Sequence, residues 1–116
     1  MDTAPNVDRL LPLPAASFHI LLALGDQDRH GYSIMQEVAS RSGGSFKLGP
    51  ATLYTTIKRL LGEGLIEELE ERPDPERDDQ RRRYYRLTQF GRRVAEAELV
   101  RLQTLVRLAS VSLAKG

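Results

Sequence analysis

The last third of the chain carries a long apolar seam, and this seam constrains the fold more than any other feature. From Gln89 to about Leu113 the sequence contains no proline and only one glycine, Gly91. Apolar residues recur there at spacings of 4, 3, 4, 3 and 4, at Ala95, Leu99, Leu102, Val106, Ala109 and Leu113. A repeat of 3.5 residues is typical of a helix that packs against another helix along its length. We therefore predict one helix of about 25 residues, roughly 37 Å long.

Something must cover this seam. The chain has 116 residues, enough for one small core but not for two. The helix could fold back on its own domain or pair with a second copy of the chain. We favour a symmetric homodimer, because the spacing is that of a coiled coil and twofold pairing is the commonest closed assembly. The six seam residues are thus the predicted dimerisation residues.

The residues before the seam predict three short helices. Pro14 can occupy a first helical turn, and the helix over 15–24 that follows is apolar nearly all round, so it should be buried. The stretch "YSIMQEVASR" predicts a second helix, which Gly43 and Gly44 end. A third helix starts at Pro50. Its apolar residues fall at i, i+4, i+7 and i+8, which is one buried face: Leu53, Ile57, Leu60 and Leu61.

Two short segments with strand character follow the third helix. The alternation in 82–87, "RRYYRL", predicts a half-buried strand with Arg83, Tyr85 and Leu87 on one face. The pattern of 65–72, "LIEELEER", is ambiguous, because its alternation is imperfect and Glu is a poor strand residue. The intervening "PDPERDDQ" is too rich in proline and aspartate for regular structure. The segments are best explained as a β-hairpin around a charged loop, and "GDQDRHG" earlier in the chain predicts a turn.

This order of elements predicts a mainly α fold with a small β-hairpin wing. Three short helices followed by a two-stranded wing form a winged helix-turn-helix, to which the long C-terminal helix is added. The predicted organisation is an N-terminal arm over 1–13, a winged helix-turn-helix DNA-binding domain over 14–88 and a dimerisation helix over 89–116.

The composition excludes several classes of function. The chain has no cysteine and two isolated histidines, so no disulfide, thiolate site or metal site is expected. It has no nucleophile–base pair and no phosphate-binding loop of the usual pattern, so we expect neither an enzyme nor a cofactor. No apolar run approaches 18 residues and the first residues do not resemble a signal peptide. We therefore expect a cytoplasmic protein that does not bind membranes.

Charge is strongly segregated around the predicted wing. Residues 63–79 contain nine acids and two bases, whereas 80–93 contain six arginines and no acid. In a hairpin the basic residues 82–86 must run against the acidic residues 67–71, so cross-strand Arg–Glu pairs are expected.

Three blocks of the sequence resemble one family. "HGYSIMQEV" (30–38), "LGPATLYTTIKRLLGEGLIEE" (48–68) and "RRYYRLTQFGRR" (82–93) are together similar to the PadR-like transcriptional regulators, of the type with a short C-terminal part. The resemblance implies a winged-helix DNA-binding domain, a C-terminal dimerisation helix and usually repression of transcription, with a small-molecule effector as a further partner. It also implies that 65–72 is a strand. One departure is Ala51, where the family often has glycine.

The third helix is the predicted DNA-contacting element. In a helix-turn-helix the second helix of the motif enters the major groove, and its N-terminal half contacts base edges. In helix 50–61 these positions are Ala51, Thr52 and Thr55, while Lys58 and Arg59 lie later and are expected on phosphate. Two tyrosines complete this predicted surface, Tyr32 and Tyr54, with hydroxyls near phosphate.

The wing, 72–83, is expected to contact the minor groove or phosphate through Arg77, Arg81 and Arg83. Arg82 and Arg86 are equally well explained as strand partners of the acidic residues opposite.

The leading hypothesis is thus a homodimeric repressor of transcription that binds double-stranded DNA. Its operator should be a pseudo-palindrome with half-sites about one helical turn, roughly 34 Å, apart. The alternative is a winged helix that binds another protein without sequence-specific DNA binding. The acids of 63–79 leave that alternative open, since they would repel phosphate if they faced DNA.

Overall fold

The computed structural model describes residues 6–69 and 83–115. A short 3-10 helix, Val7–Leu10, precedes the rest. The remaining elements, in chain order, are α1 (Ala15–Ala23), β1 (Arg29–His30), α2 (Gly31–Arg41), α3 (Pro50–Gly62), β2 (Ile66–Leu69), β3 (Tyr84–Leu87) and α4 (Gln89–Ala114). The predicted fold class, mainly α with a small β wing and a long C-terminal helix, is confirmed. Within the described ranges, no helix is both long enough and apolar enough to cross a bilayer.

The sheet differs from the predicted two-stranded wing because it has a third strand. Its order is β1-β3-β2, all antiparallel. Arg29 pairs with Tyr85 and His30 with Tyr84, so the segment that we predicted as a turn contains an edge strand. Two residues are too few to show an alternating pattern, and their pairing partner lies far along the chain. This is why the sequence pattern did not indicate the strand.

The described part of the predicted N-terminal arm packs on the rest of the domain. Its 3-10 helix packs on α4, and Leu13 is buried in the core. Three of its other apolar side chains pack against the core cluster: Val7, Leu10 and Leu11. The arm is therefore part of the globular unit from about residue 7.

Helix α1 is the centre of the core. It contacts α2, α3 and α4, and Ile20, Leu21 and Ala23 are 0–1% exposed. This agrees with the prediction of a helix buried on several sides. The stripe of α3 packs on it through Leu53, Ile57 and Leu60, all buried, while Leu61 is partly buried at the margin.

Arg29 ties the end of α1 to α2. Its Nε donates to the carbonyl of Ala23 at 2.7 Å and its NH1 lies 3.6 Å from Glu37. The side chain is only 10% exposed. A guanidinium that is buried needs such partners, because an unpaired buried charge is strongly destabilising. The turn between α1 and α2 is consequently held by a buried charge as well as by β1.

The start of α4 is held against the turn that follows α3. Thr88 Oγ1 accepts from the N–H of Gly91 at 2.9 Å, so Thr88 is the N-cap of α4. The same hydroxyl donates to the carbonyl of Gly64 at 2.7 Å. The backbone N–H of Thr88 donates to the carbonyl of Leu65 at 3.1 Å. One residue thus caps α4 and fixes it to the α3–β2 turn.

Gly91 allows α4 to approach that turn closely. A Cβ at this position would overlap the carbonyl oxygen of Leu65, and would stand 2.8 Å from the Leu65 carbonyl carbon and 2.9 Å from Leu87 Cδ1. Since two of these atoms belong to the backbone, rotation of a side chain cannot relieve the overlap. Glycine is required here by packing.

We expect Gly91→Ala to lower the free energy of unfolding by about 1–3 kcal/mol, the usual cost of overpacking a close contact. The measurement is urea denaturation at one fixed protein concentration. Gly62→Ala is the matched control, because a Cβ there would have no atom within 4 Å. The control should be neutral or slightly stabilising, by up to about 1 kcal/mol, since alanine favours helix. Equal stability of the two variants would contradict the close approach of α4.

Candidate nucleic-acid interface and dimerisation surface

The face of α3 opposite its buried stripe is exposed to solvent. The helix starts with Pro50 in its first turn, after Gly49 at the N-cap. All the predicted DNA-contacting positions of this helix are exposed: Ala51, Thr52, Tyr54, Thr55, Lys58 and Arg59. The amphipathic pattern of α3 therefore places these residues together on one free surface, which we call the α3 face.

The α3 face contains an open concavity in its N-terminal half. It has a volume of about 230 Å³ and is lined by Ala51, Thr52, Thr55 and Thr56. The prediction from sequence included the first three residues and missed Thr56. The signal that could have indicated it is the spacing of four from Thr52, which puts both side chains on neighbouring turns of one face.

Tyr54 links α3 to the start of α2. A Cβ on Gly31 would stand 2.8 Å from Tyr54 Oη, so the tyrosine hydroxyl lies directly beside the first turn of α2. Tyr32, in the same turn, is 58% exposed, and Tyr54 is 53% exposed. The two predicted tyrosines are thus brought to one end of α2, adjacent to the α3 face.

The first turn of α2 is capped by His30. Its Nδ1 accepts from the N–H of Ser33 at 3.2 Å, and its ring makes an edge contact with Tyr84, with centroids 5.5 Å apart. We had interpreted His30 only as a turn residue. Its cap position and its place in β1 connect the start of α2 to the wing.

The predicted cations differ in how they are engaged. Arg59 Nε lies 3.6 Å from Glu63, one turn later on α3. Arg83 NH1 donates to Glu68 at 3.3 Å. Lys58 is exposed and forms no ion pair with any residue in 6–69 or 83–115. The predicted wing residues Arg77 and Arg81 lie outside the described residues.

Cross-strand ion pairs form in the wing as expected. The register pairs Glu67 with Arg86 and Glu68 with Tyr85, and Arg86 NH2 lies 2.6 Å from Glu67. Arg83, like Arg86, forms an ion pair with a glutamate of β2. Of these two arginines, the sequence predicts such a pair only for Arg86 and a DNA contact for Arg83. Tyr85 is buried in the sheet, and its burial raises the pKa of its hydroxyl, with the charge of Glu68 adding to the rise.

The seam on α4 is exposed over most of its length. Leu99, Val106 and Leu113 are 49%, 64% and 80% exposed. Leu102 is half-buried, and Ala95 packs against the core of its own domain. Other large apolar residues of α4 are also exposed: Val100, Leu105, Leu108 and Val111. Its last four turns therefore expose an apolar surface that the described part of the chain does not cover.

Glu98 anchors α4 at the point where the helix leaves the globular unit. It is 2% exposed, and both of its oxygens accept from Arg101, at 2.6 and 2.9 Å. The hydrogen bonds from Arg101 hold the pKa of Glu98 below its usual value, against the effect of burial, and the backbone N–H of Leu13 acts in the same direction. The carboxylate thus joins the N-terminal segment to α4. The sequence signalled only an i, i+3 Glu–Arg pair and not its burial.

The described residues hold no group of three or more His, Asp or Glu side chains placed to bind a metal ion. What they do present is an exposed third helix beside a β-hairpin wing, on a core of three helices. This is the geometry of the winged helix-turn-helix class of DNA-binding proteins.

Residues 20–97 match the model of the transcriptional regulator PadR-like family. Since this span is more than half of the chain, the protein belongs to the PadR-like family of transcriptional regulators. A transcriptional regulator from Mycobacterium tuberculosis is 37% identical over 93 residues, which are 80% of each chain. An uncharacterised protein from Lysinibacillus sphaericus is 37% identical, and the match spans 64% of its length. The family resemblance seen in the sequence and the expectation of a non-enzyme are thereby confirmed.

Solved structures support the same fold. A PadR family transcription regulator from Clostridium difficile matches with a TM-score of 0.72 at 24% identity, over 86% of this chain and 99% of that one. Bacillus subtilis PadR in complex with operator DNA matches with a TM-score of 0.66 at 21% identity, over 77% of this chain and 49% of that one.

We expect Glu98→Gln to lower the free energy of unfolding at pH 7 by about 1.5–3 kcal/mol, the usual range for a hydrogen bond to a charged group. Because the folded-state pKa of Glu98 is lowered, its contribution is complete above the unfolded-state pKa of about 4.3. The contribution is lost as the pH falls through the folded-state pKa. The difference between wild type and variant should therefore shrink toward zero in strong acid.

Glu96→Gln is the control for this prediction, because Glu96 is exposed on the same helix. It should change stability by less than about 0.5 kcal/mol. The two variants are compared by urea denaturation across the acid range. A stability loss in Glu98→Gln that does not depend on pH would contradict a role for the ionised carboxylate.

Proposed function

We propose that this PadR-like regulator is a homodimeric repressor of transcription. It binds a pseudo-palindromic operator through residues 50–61 of α3 and through the wing, residues 72–83. The observation that supports this most directly is the α3 face, where solvent-exposed methyl, hydroxyl and cationic groups lie opposite a buried apolar stripe. Groups of these three kinds can contact both base edges and phosphate.

The proposed contacts follow the position of each residue along α3. Ala51, Thr52 and Thr55 are in its N-terminal half, which approaches base edges in the helix-turn-helix geometry. Lys58 and Arg59 come one to two turns later and contact phosphate, as do Tyr32 and Tyr54 beside the first turn of α2. The proposed wing contacts are Arg77, Arg81 and Arg83.

DNA binding on this surface requires the exchange of ion pairs. Arg59 and Arg83 each have a carboxylate partner in the free chain, Glu63 and Glu68. Exposed pairs of this kind contribute about 0–1 kcal/mol, so phosphate can replace the carboxylate at little cost. Engagement of these arginines by glutamate is thus compatible with the proposed role.

Dimerisation through α4 supplies the second half of the proposal. The seam continues beyond the globular unit through Leu99, Leu102, Val106, Ala109 and Leu113. A second helix is needed to remove these side chains from water. We also propose that a small-molecule effector releases the operator, with a site between α1 and α4 or at the dimer interface.

The first test is binding to the DNA upstream of the protein's own gene. If the protein neutralises phosphates, its affinity should fall steeply with salt, with a slope of about −0.9 per phosphate contact in a plot of log affinity against log salt concentration. Fluorescence anisotropy over a range of salt concentrations gives this slope. The absence of salt-sensitive binding to any such fragment would contradict the repressor function and favour the protein-binding alternative.

Two variants separate the α3 face from the fold in this assay. The double change Thr55→Ala and Arg59→Ala should weaken operator binding by at least tenfold with little change in thermal stability. Glu63→Ala is the matched control, because it removes the same Arg59–Glu63 ion pair but keeps both DNA-contacting side chains. It should bind DNA at least as tightly as wild type. If the double variant lost thermal stability to the same extent as operator affinity, the α3 face would be structural.

The second test concerns the seam. Leu102→Asp together with Val106→Asp should convert the dimer to monomers, because two carboxylates would be buried against the partner helix. Sedimentation velocity measures the change, and operator affinity should fall with it.

The control for the seam adds two carboxylates to the same helix at positions that do not belong to the seam, Gln103→Asp and Thr104→Asp. Both positions are exposed, and at about 100° per residue they lie away from Leu102 and Val106. This variant should remain dimeric. A dimer that survives the Leu102→Asp and Val106→Asp changes would place the interface elsewhere.

A further inference from the structure

The concavity on the α3 face has a composition that points to a specific ligand group, provided that the proposed DNA-binding function holds. Its four lining residues sit at the corners of a hole on the helix surface, at positions i, i+1, i+4 and i+5. Each corner residue has a methyl group, the Cβ of Ala51 or the Cγ2 of a threonine. None of the four is charged.

The threonine hydroxyls are not equivalent. Thr56 Oγ1 donates to the carbonyl of Thr52 at 2.7 Å, so this hydroxyl is turned to the helix backbone and its methyl group is left to line the concavity. Thr52 and Thr55 use their hydroxyls in no hydrogen bond with any residue that the structure describes. The concavity therefore combines apolar walls with hydroxyl groups at its edge.

The side chains of the concavity do not select phosphate. Lysine and arginine are the side chains that hold phosphate most strongly, and the lining contains neither. The backbone N–H groups of Ala51 and Thr52 have no partner within the helix, but they do not account for the methyl-lined walls. An apolar group with a hydrogen-bond acceptor next to it fits the lining better.

Thymine presents such a pair of groups in the major groove. Its C5-methyl and its O4 acceptor lie side by side, and among the four bases only thymine carries a methyl group there. We propose that the concavity of Ala51, Thr52, Thr55 and Thr56 receives the C5-methyl of one operator thymine in each half-site. The Thr55 hydroxyl then donates to O4 of the same base. The operator would be specified at this position by the burial of a methyl group.

The test replaces thymine with deoxyuridine, which removes the methyl group and keeps every hydrogen-bonding atom. The operator is first defined by footprinting on the upstream DNA, and each thymine in one half-site is then changed in turn. We expect about fourfold weaker binding at one thymine and no effect at the others. Fourfold corresponds to about 0.8 kcal/mol, the value of one buried methyl group.

Two variants assign that effect to the concavity. Changing Thr52, Thr55 and Thr56 together to serine removes three methyl groups and keeps the hydroxyls, and should bring the thymine-to-uracil affinity ratio to about one. The converse variant, Thr52→Val with Thr55→Val, keeps the methyl groups and should preserve the ratio even if overall affinity falls. Thermal melting verifies that both variants are folded.

The outcomes distinguish this inference from the proposed function. Salt-sensitive operator binding with no thymine sensitive to uracil would overturn the inference and leave the repressor function standing. A sensitive thymine whose ratio is unchanged in the serine variant would also overturn it, because the methyl group would then be buried elsewhere. Failure to bind any DNA would contradict the proposed function and the inference together.

Discussion

The contact between the first turn of α4 and the backbone at Leu65 fixes the orientation of the α3 face relative to the α4 seam. Gly91 leaves room for the Leu65 carbonyl, and Thr88 binds the same turn through Gly64 and Leu65. The N–H of Leu65 in turn donates to the carbonyl of Leu60 at the end of α3. One turn therefore ends α3, begins the wing and holds α4. The angle between the α3 face and the α4 seam is set there by backbone packing.

The segregated charges of the sequence have a structural explanation in the wing. Strand β2 contributes Glu67 and Glu68, strand β3 contributes Arg86, and Arg83 lies directly before β3. The antiparallel register places Glu67 opposite Arg86. The ion pairs lower the repulsion that an acidic strand would otherwise present to phosphate. They also keep Arg83 near the surface that would face DNA, with Glu68 as an exchangeable partner. The described glutamates of the wing, Glu67 and Glu68, are thus compatible with arginines on the same surface.

The parts of the fold that follow from local periodicity could be predicted from the sequence. The stripe of α3, the strand at Tyr84–Leu87, the Thr88 cap and the length of α4 each depend on neighbours within a few residues. The same periodicity predicted which α3 side chains are exposed. Three features depend on distant partners and could not be predicted: β1 pairs with β3, Glu98 is buried against Leu13, and Gly91 packs on Leu65. Thr56 lies outside the predicted set, although its spacing of four from Thr52 was a signal for it.

This arrangement also limits how a signal could change DNA affinity. The buried stripe of α3 is packed on α1, with Leu53 and Leu60 at 0% exposure, so α3 cannot move alone without opening the core. Interfaces between packed units change by rigid-body shifts more readily than close-packed interiors deform. An effector that lowers affinity would therefore act by changing the spacing of the two α3 faces in a dimer. In the proposed dimer that spacing would depend on the seam, which would join the two copies, and on Glu98, which holds α4 where the helix leaves the globular unit.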